Sequence, residues 1–197
     1  MTVAVASLPP SAPPASAELD EVTLRRAQRG DADASRALVD RHQAAVFALL
    51  GRMLGSVRRS AIEDLAQDTF LAVFAALPRF RPDGGARLST WILTIAARRA
   101  IDELRRRPPV PLAADDIAPA RDRADGPAER RQLAAAIDRA LADLAPPYRA
   151  AFVLYELHGL DYGEVALALG VDIGTVRSRL ARARAALRAA LAEHHHG

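Results

Sequence analysis

The residues best suited to chemistry stand in one short run, Gly170 to Arg184, GVDIGTVRSRLARAR. Thr175, Arg177, Ser178, Arg179 and Arg182 are all hydrogen-bond donors. Guanidinium forks and hydroxyls at that density suit phosphate oxygens and the acceptor edge of guanine. Val176, Leu180, Ala183 and Leu187 recur at spacings of four, three and four, so one stripe of a helix is apolar and turns inward. Thr175, Ser178, Arg179 and Arg182 fall on its other faces. Just upstream, Asp161-Tyr162-Gly163-Glu164 sets an acceptor side chain at a helix N-cap and a glutamate three residues later, the start of a short helix through Leu169. Gly170 ends that helix where the backbone must turn. The pattern predicts a helix-turn-helix whose second helix enters the major groove, Arg on base edges and Ser or Thr on phosphates. The competing explanation is the solvated face of an alanine-rich helix.

A second set of residues lies further upstream. Leu93, Ala97, Ala100 and Leu104 form one apolar stripe at helical spacing, while Trp91, Thr94, Arg98, Asp102 and Arg105 form another, flanked by Arg99 and Arg106. An aromatic ring beside a ladder of arginines suits single-stranded nucleic acid, because bases stack on the ring and phosphates find the guanidinium groups. Equally, the chain's only Trp would plug a core, and arginines at the end of a helix complement its dipole. On the sequence alone both remain open.

The elements that must position these residues are all helical. Half of the 197 residues are hydrophobic but only 5% are aromatic, and alanine dominates, which favours closely packed helices over a sheet. Asp20 to Leu54 is expected to be helical with a break at Gly30-Asp31, followed by a helix from about Ala61 to Leu77 that Pro78 ends. Arg79 to Arg87, RFRPDGGAR, is a turn. Ser89 is the expected N-cap of a third helix to Arg107, which Pro108, Pro109 and Pro111 stop. Leu112 to Pro127 has the Asp, Ala, Pro and Arg content of a linker. Glu129 to Leu144, Tyr148 to Leu157 and the helix-turn-helix complete a second unit. The expectation is an all-α protein of two small helical domains: a disordered tail over 1–19, a first domain over 20–107, a flexible linker over 108–128, a second domain over 129–192 and a tail over 193–197.

Charge follows the same division. No lysine occurs, so all 27 basic residues are arginine. Gly51 to Arg107 and Val171 onward are arginine-rich, and the stretch between them is acidic. Two basic islands suggest two nucleic-acid contacts on one chain. The lack of cysteine excludes disulfides, thiolate metal sites and cysteine nucleophiles. Met1 to Ala17 lacks the basic and apolar parts of a signal peptide, and nothing reaches the apolar length of a membrane helix, so a cytoplasmic protein without membrane insertion is expected. No cofactor, metal site or catalytic residue is expected; His194-His195-His196 is read as a tail.

Three segments together resemble a known family. IEDLAQDTFLAVFAALPRF, then RLSTWILTIAARRAIDELRRR, then LADLAPPYRAAFVLYELHGLDYGEVALALGVDIGTVRSRLARARAAL are similar, in order and spacing, to a group IV (extracytoplasmic-function) sigma factor of bacterial RNA polymerase, over roughly Leu24 to Leu191. The resemblance implies that Glu63, Asp64, Gln67 and Asp68 lie on the region 2.2 helix that grips the β′ clamp helices, with the β flap as a further polymerase contact. It implies that Arg79, Arg81, Arg87, Trp91, Arg98, Arg99 and Arg105, in regions 2.3 and 2.4, melt the −10 element and hold the extruded strand. Thr175, Arg177, Ser178, Arg179 and Arg182, in region 4.2, would read the −35 element as duplex. Promoter DNA, in both forms, and core polymerase are the implied partners, and an anti-sigma factor is a partner of many members.

The chain departs from the family at particular places. His42-Gln43-Ala44-Ala45-Val46-Phe47 lacks a second aromatic in region 2.1, Pro82-Asp83-Gly84-Gly85 offers little for a base pocket, and Asp172 stands where relatives often have Pro or Ser. Asp172 would cap the recognition helix while bringing negative charge near phosphate. Two other functions compete. A stand-alone helix-turn-helix regulator would leave the first domain idle, and a DNA-processing enzyme would need a nucleophile or a ligand-like cluster of acids, which the scattered acids do not form.

Overall fold

The computed structural model describes residues 18–55, 59–82, 86–106 and 128–194. Most of the expected linker, the tail up to Ala17, Asp83 to Gly85 of the turn, and His195 to Gly197 lie outside these. The described residues form eight α-helices: α1 (Glu21–Gln28), α2 (Ala32–Leu54), α3 (Arg59–Ala76), α4 (Leu88–Arg106), α5 (Ala128–Ala142), α6 (Pro146–Phe152), α7 (Tyr162–Leu169) and α8 (Ile173–His194). A 3-10 turn follows α3, and a π-helical turn, Val153–Leu157, follows α6.

Local sequence explains most of the boundaries. Asp20 and Asp31 accept the Thr23 and Ala34 amides at 2.9 Å, starting α1 and α2. Pro146 and Pro147 occupy the first positions of α6, where a missing amide costs nothing. The start of α4 differs from expectation. The helix begins at Leu88, and the Ser89 amide donates to the Glu18 carboxylate at 3.2 Å, so a side chain 71 residues away does the work assigned to the Ser89 hydroxyl.

α1 to α4 pack as one bundle around α2 and α4, and α5 to α8 pack around α8. The two units then meet: α4 lies against α7 and α6, and α2 lies against α5. One buried core runs continuously through both, from Leu24, Leu38 and Leu50 to Leu154, Val165 and Leu180. Arg149 ties them together. Fully buried, it donates to the carbonyls of Met53 at the end of α2, of Ala142 at the end of α5 and of Leu144 just beyond it. Those carbonyls sit at helix C-termini, where no intrahelical amide reaches them and a cation meets the negative end of the dipole.

Candidate nucleic-acid interface

The helix-turn-helix forms as its sequence predicts. Asp161 accepts the Glu164 amide at 2.8 Å and the Glu164 carboxylate accepts the Asp161 amide at 3.0 Å, a complete capping box. Gly170 closes α7 in the left-handed region at φ 63°, a conformation that a side chain would strain. Asp172 then accepts both the amide and the hydroxyl of Thr175 at 2.7 Å, so it does cap the start of α8. These contacts hold the Asp172 carboxyl below the usual carboxylate range. Along α8, Val176, Leu180, Ala183 and Leu187 are all buried.

That burial fixes where the polar residues of α8 stand. Arg177, Ser178 and Arg182 are exposed, and Thr175 and Arg179 are half-buried. The Ser178 hydroxyl donates to the Thr175 carbonyl at 2.9 Å. Arg177 lies over the Tyr162 ring, and Arg182 donates to the Tyr148 hydroxyl at 2.9 Å.

In the first unit, Trp91 is half-buried against Phe80, with ring centroids 4.9 Å apart, and packs on the core. The stripe of Leu93, Ala97, Ala100 and Leu104 is buried. Arg79, Arg81 and Arg105 are exposed, Arg105 beside Asp102 at 3.6 Å, and Arg99 is half-buried. On α3, Glu63, Asp64, Gln67 and Asp68 are exposed while Ala66, Phe70 and Val73 are buried, so the acidic side faces solvent, with Leu71 exposed beside it.

Two of the arginines expected at the −10 element bond instead to the second unit. Arg98 donates to the carbonyls of Ala168 and Leu167 at the end of α7, at 2.9 and 3.1 Å. Arg87 donates to the Glu164 carboxylate at 3.3 Å, and Thr90 donates to the same carboxylate at 2.9 Å. A cleft of about 960 Å³ opens beside this seam, lined by Arg98, Leu167, Asp172, Ile173, Thr175 and Arg179 among others. Arg98 of one basic island thus lines the same open cleft as Thr175 and Arg179 of the other. Sequence reasoning missed Thr90, Tyr148 and Arg149. Glu164 was visible as a cap and nothing more, because local spacing carries no signal for a contact across the seam.

Comparison with known proteins places this geometry. Residues 38–108 match the family model Sigma-70 region 2, and residues 134–187 match Sigma-70, region 4. The chain is 36% identical over 164 residues to the ECF RNA polymerase sigma factor SigE of Mycolicibacterium smegmatis, covering 80% of this chain and 61% of that protein. It is 33% identical over 183 residues to the ECF RNA polymerase sigma-E factor of Salmonella typhimurium, covering 85% of this chain and 92% of that one. The sigma factor RpoE of Bartonella quintana, solved in complex with the anti-sigma factor NepR, superposes with a TM-score of 0.64 at 25% identity, covering 79% of this chain and 95% of that chain. The chain belongs to the extracytoplasmic-function sigma factors of the sigma-70 family, which act in promoter-directed transcription initiation and are not enzymes. No helix among the described residues is long and apolar enough to cross a membrane.

Proposed function

We propose that this chain directs core RNA polymerase to promoters through two separate DNA contacts. α8 reads the −35 element as duplex, through Thr175, Arg177, Ser178, Arg179 and Arg182. α4 and the turn before it take the −10 element as its strands part, through Arg79, Arg81, Arg87, Trp91, Arg98, Arg99 and Arg105. The supporting observation is the division of α8: its apolar stripe is buried, which leaves Arg177, Ser178 and Arg182 in solvent on the first turns, where a recognition helix meets base edges. The outward acids of α3, Glu63, Asp64 and Asp68 with Gln67, suit a basic groove on the β′ clamp helices, and the β flap is the second polymerase contact.

The seam bears on this function. Arg98 commits its Nε and one Nη donor to the carbonyls of α7, so parting α4 from α7 as polymerase docks would free the whole guanidinium fork for the −10 strand. Docking two domains on one scaffold also fixes their spacing, which raises the effective concentration of the second contact once the first is made. An anti-sigma factor is proposed as a further partner from the similarity to RpoE, which was solved with NepR. Work on polymerase puts the protein in the cytoplasm, and no catalysis is assigned to it.

Run-off transcription from genomic fragments with purified core, alongside band shifts with and without core, tests the proposal. Promoter-specific transcripts and binding only with core are expected. Equal promoter-specific binding without core would overturn it in favour of a stand-alone regulator.

A further inference from the structure

The chain has three tyrosines, Tyr148, Tyr155 and Tyr162, spaced seven apart, and each carries one arginine of α8 over its ring. Arg182 lies 5.9 Å from the Tyr148 centroid, Arg184 5.4 Å from that of Tyr155, and Arg177 5.7 Å from that of Tyr162. The three pairs differ in charge. Arg184 donates to Glu156 at 2.7 Å from one nitrogen and pairs with the same oxygen at 2.6 Å from another, so its charge is neutralised inside the fold. Arg177 and Arg182 have no carboxylate within salt-bridge distance among the described residues. Arg182 has instead the Tyr148 hydroxyl, 2.9 Å from its Nη1. A phenol fixes the fork without cancelling its charge.

Tyr148 is itself held in place. It stands in the first turn of α6, directly after the two prolines, and packs on the buried cluster of Leu141, Leu144, Ala183 and Leu187. Its ring is thus a platform anchored to the same core that anchors α8. An arginine already held in one arrangement loses less side-chain freedom when it closes on a phosphate, so the contact is tighter.

We propose that Tyr148 is a positioning residue for promoter binding: its ring and hydroxyl hold the unneutralised Arg182 in place as a phosphate contact at the −35 element. This rests on the assignment of α8 as the −35 helix. Arg184, with its internal carboxylate, is by contrast a strut between α8 and the π-helical turn.

The test uses holoenzyme carrying Tyr148→Phe, Tyr148→Ala, Arg182→Ala, or both alanines, with affinity for −35 duplex DNA measured across salt concentrations. Arg182→Ala should flatten the salt dependence by about one unit of slope. Tyr148→Ala should weaken binding by about two- to fivefold and flatten the slope in the same direction, with little further effect once Arg182 is gone. Tyr148→Phe, which keeps the ring and the packing, should fall between wild type and Tyr148→Ala. Melting temperature and core affinity are measured for every variant, because a merely structural tyrosine would lower the melting temperature and leave the slope alone. The proposal is overturned if Tyr148→Ala leaves slope and affinity unchanged, or weakens binding by the same factor with and without Arg182. If Arg182→Ala changes neither quantity while polymerase is still recruited to promoters, the facing assigned to α8 fails first, and the role of Tyr148 with it.

Discussion

Arg98 and Ala168 are joined across the two units, the guanidinium Nε donating to the carbonyl at 2.9 Å. Ala168 is in the last turn of α7, so the bond satisfies an acceptor that the helix leaves unpaired and sets a cation at the negative end of its dipole. The side chain proposed to hold the melted strand is thereby engaged by the helix next to the proposed duplex reader.

Arg98→Ala and Arg99→Ala are expected to impair opening of duplex promoters and retention of the separated strand, since arginines beside an aromatic favour single strands. On a template with a pre-melted bubble, a defect confined to opening largely disappears. Permanganate footprinting and transcription from both templates measure this. An equal defect on the bubble would move the two residues to retention or duplex docking.

Charge reversal at Asp64 and Asp68 should weaken association with core polymerase while the melting temperature stays close to wild type. Both side chains are exposed, and exposed positions contribute within about 0.5 kcal/mol of stability. Co-purification with core and thermal melting are the paired measurements. Loss of folding in the double variant would show that the acids are structural.

Removing the buried guanidinium of Arg149 strands three carbonyls, those of Met53, Ala142 and Leu144. Arg149→Met should cost on the order of 3 kcal/mol in denaturant unfolding, the range for buried groups left without partners. Lysine, with a single charged centre in place of the fork, should recover only part of that stability. A loss below about 1 kcal/mol would mean that the carbonyls find other donors.

Asp172→Ala should lower stability by about 1 kcal/mol through loss of the α8 cap. Asp172→Asn keeps an acceptor for the Thr175 amide and removes a negative charge from the end of α8 proposed to read DNA. It should therefore melt near wild type and bind duplex DNA more tightly at low salt. Equal melting of all three proteins would show that the cap contributes nothing.

Stability should fall as the solution is acidified from about pH 7 toward pH 4. His158 is buried, and burial together with the nearby Arg52 charge pulls its pKa down to about 4, from 6.5. The neutral form is thus favoured in the folded state. Stability from this group is fully present above the unfolded pKa and is lost progressively between 6.5 and about 4, by roughly 3 kcal/mol in all. Burial lowers the pKa of His42 in the same sense. Asp20, Asp31 and Asp172, whose pKa values are depressed by their cap contacts, add further losses below 3.8. Denaturant unfolding at several pH values, with His158→Gln as the comparison, measures it. An unchanged pH slope in that variant would remove His158 as the cause.

The sequence by itself determined the elements and their inward faces. Asp161, Glu164 and Gly170 mark the ends of α7, and the spacing of Val176, Leu180, Ala183 and Leu187 names the side of α8 that is buried, because caps and apolar periodicity act over three or four residues. The same holds for Leu93, Ala97, Ala100 and Leu104 on α4. Only the tertiary structure decided what covers those faces and which polar groups meet. It set Trp91 against Phe80, gave the Ser89 amide to Glu18, and brought Arg87 and Thr90 to a glutamate 77 and 74 residues away. It also set Arg182 on Tyr148, 34 residues earlier in the chain. Periodicity records that a face is apolar but not which helix will bury it, and an arginine's partner depends on the packing of elements that share no local pattern.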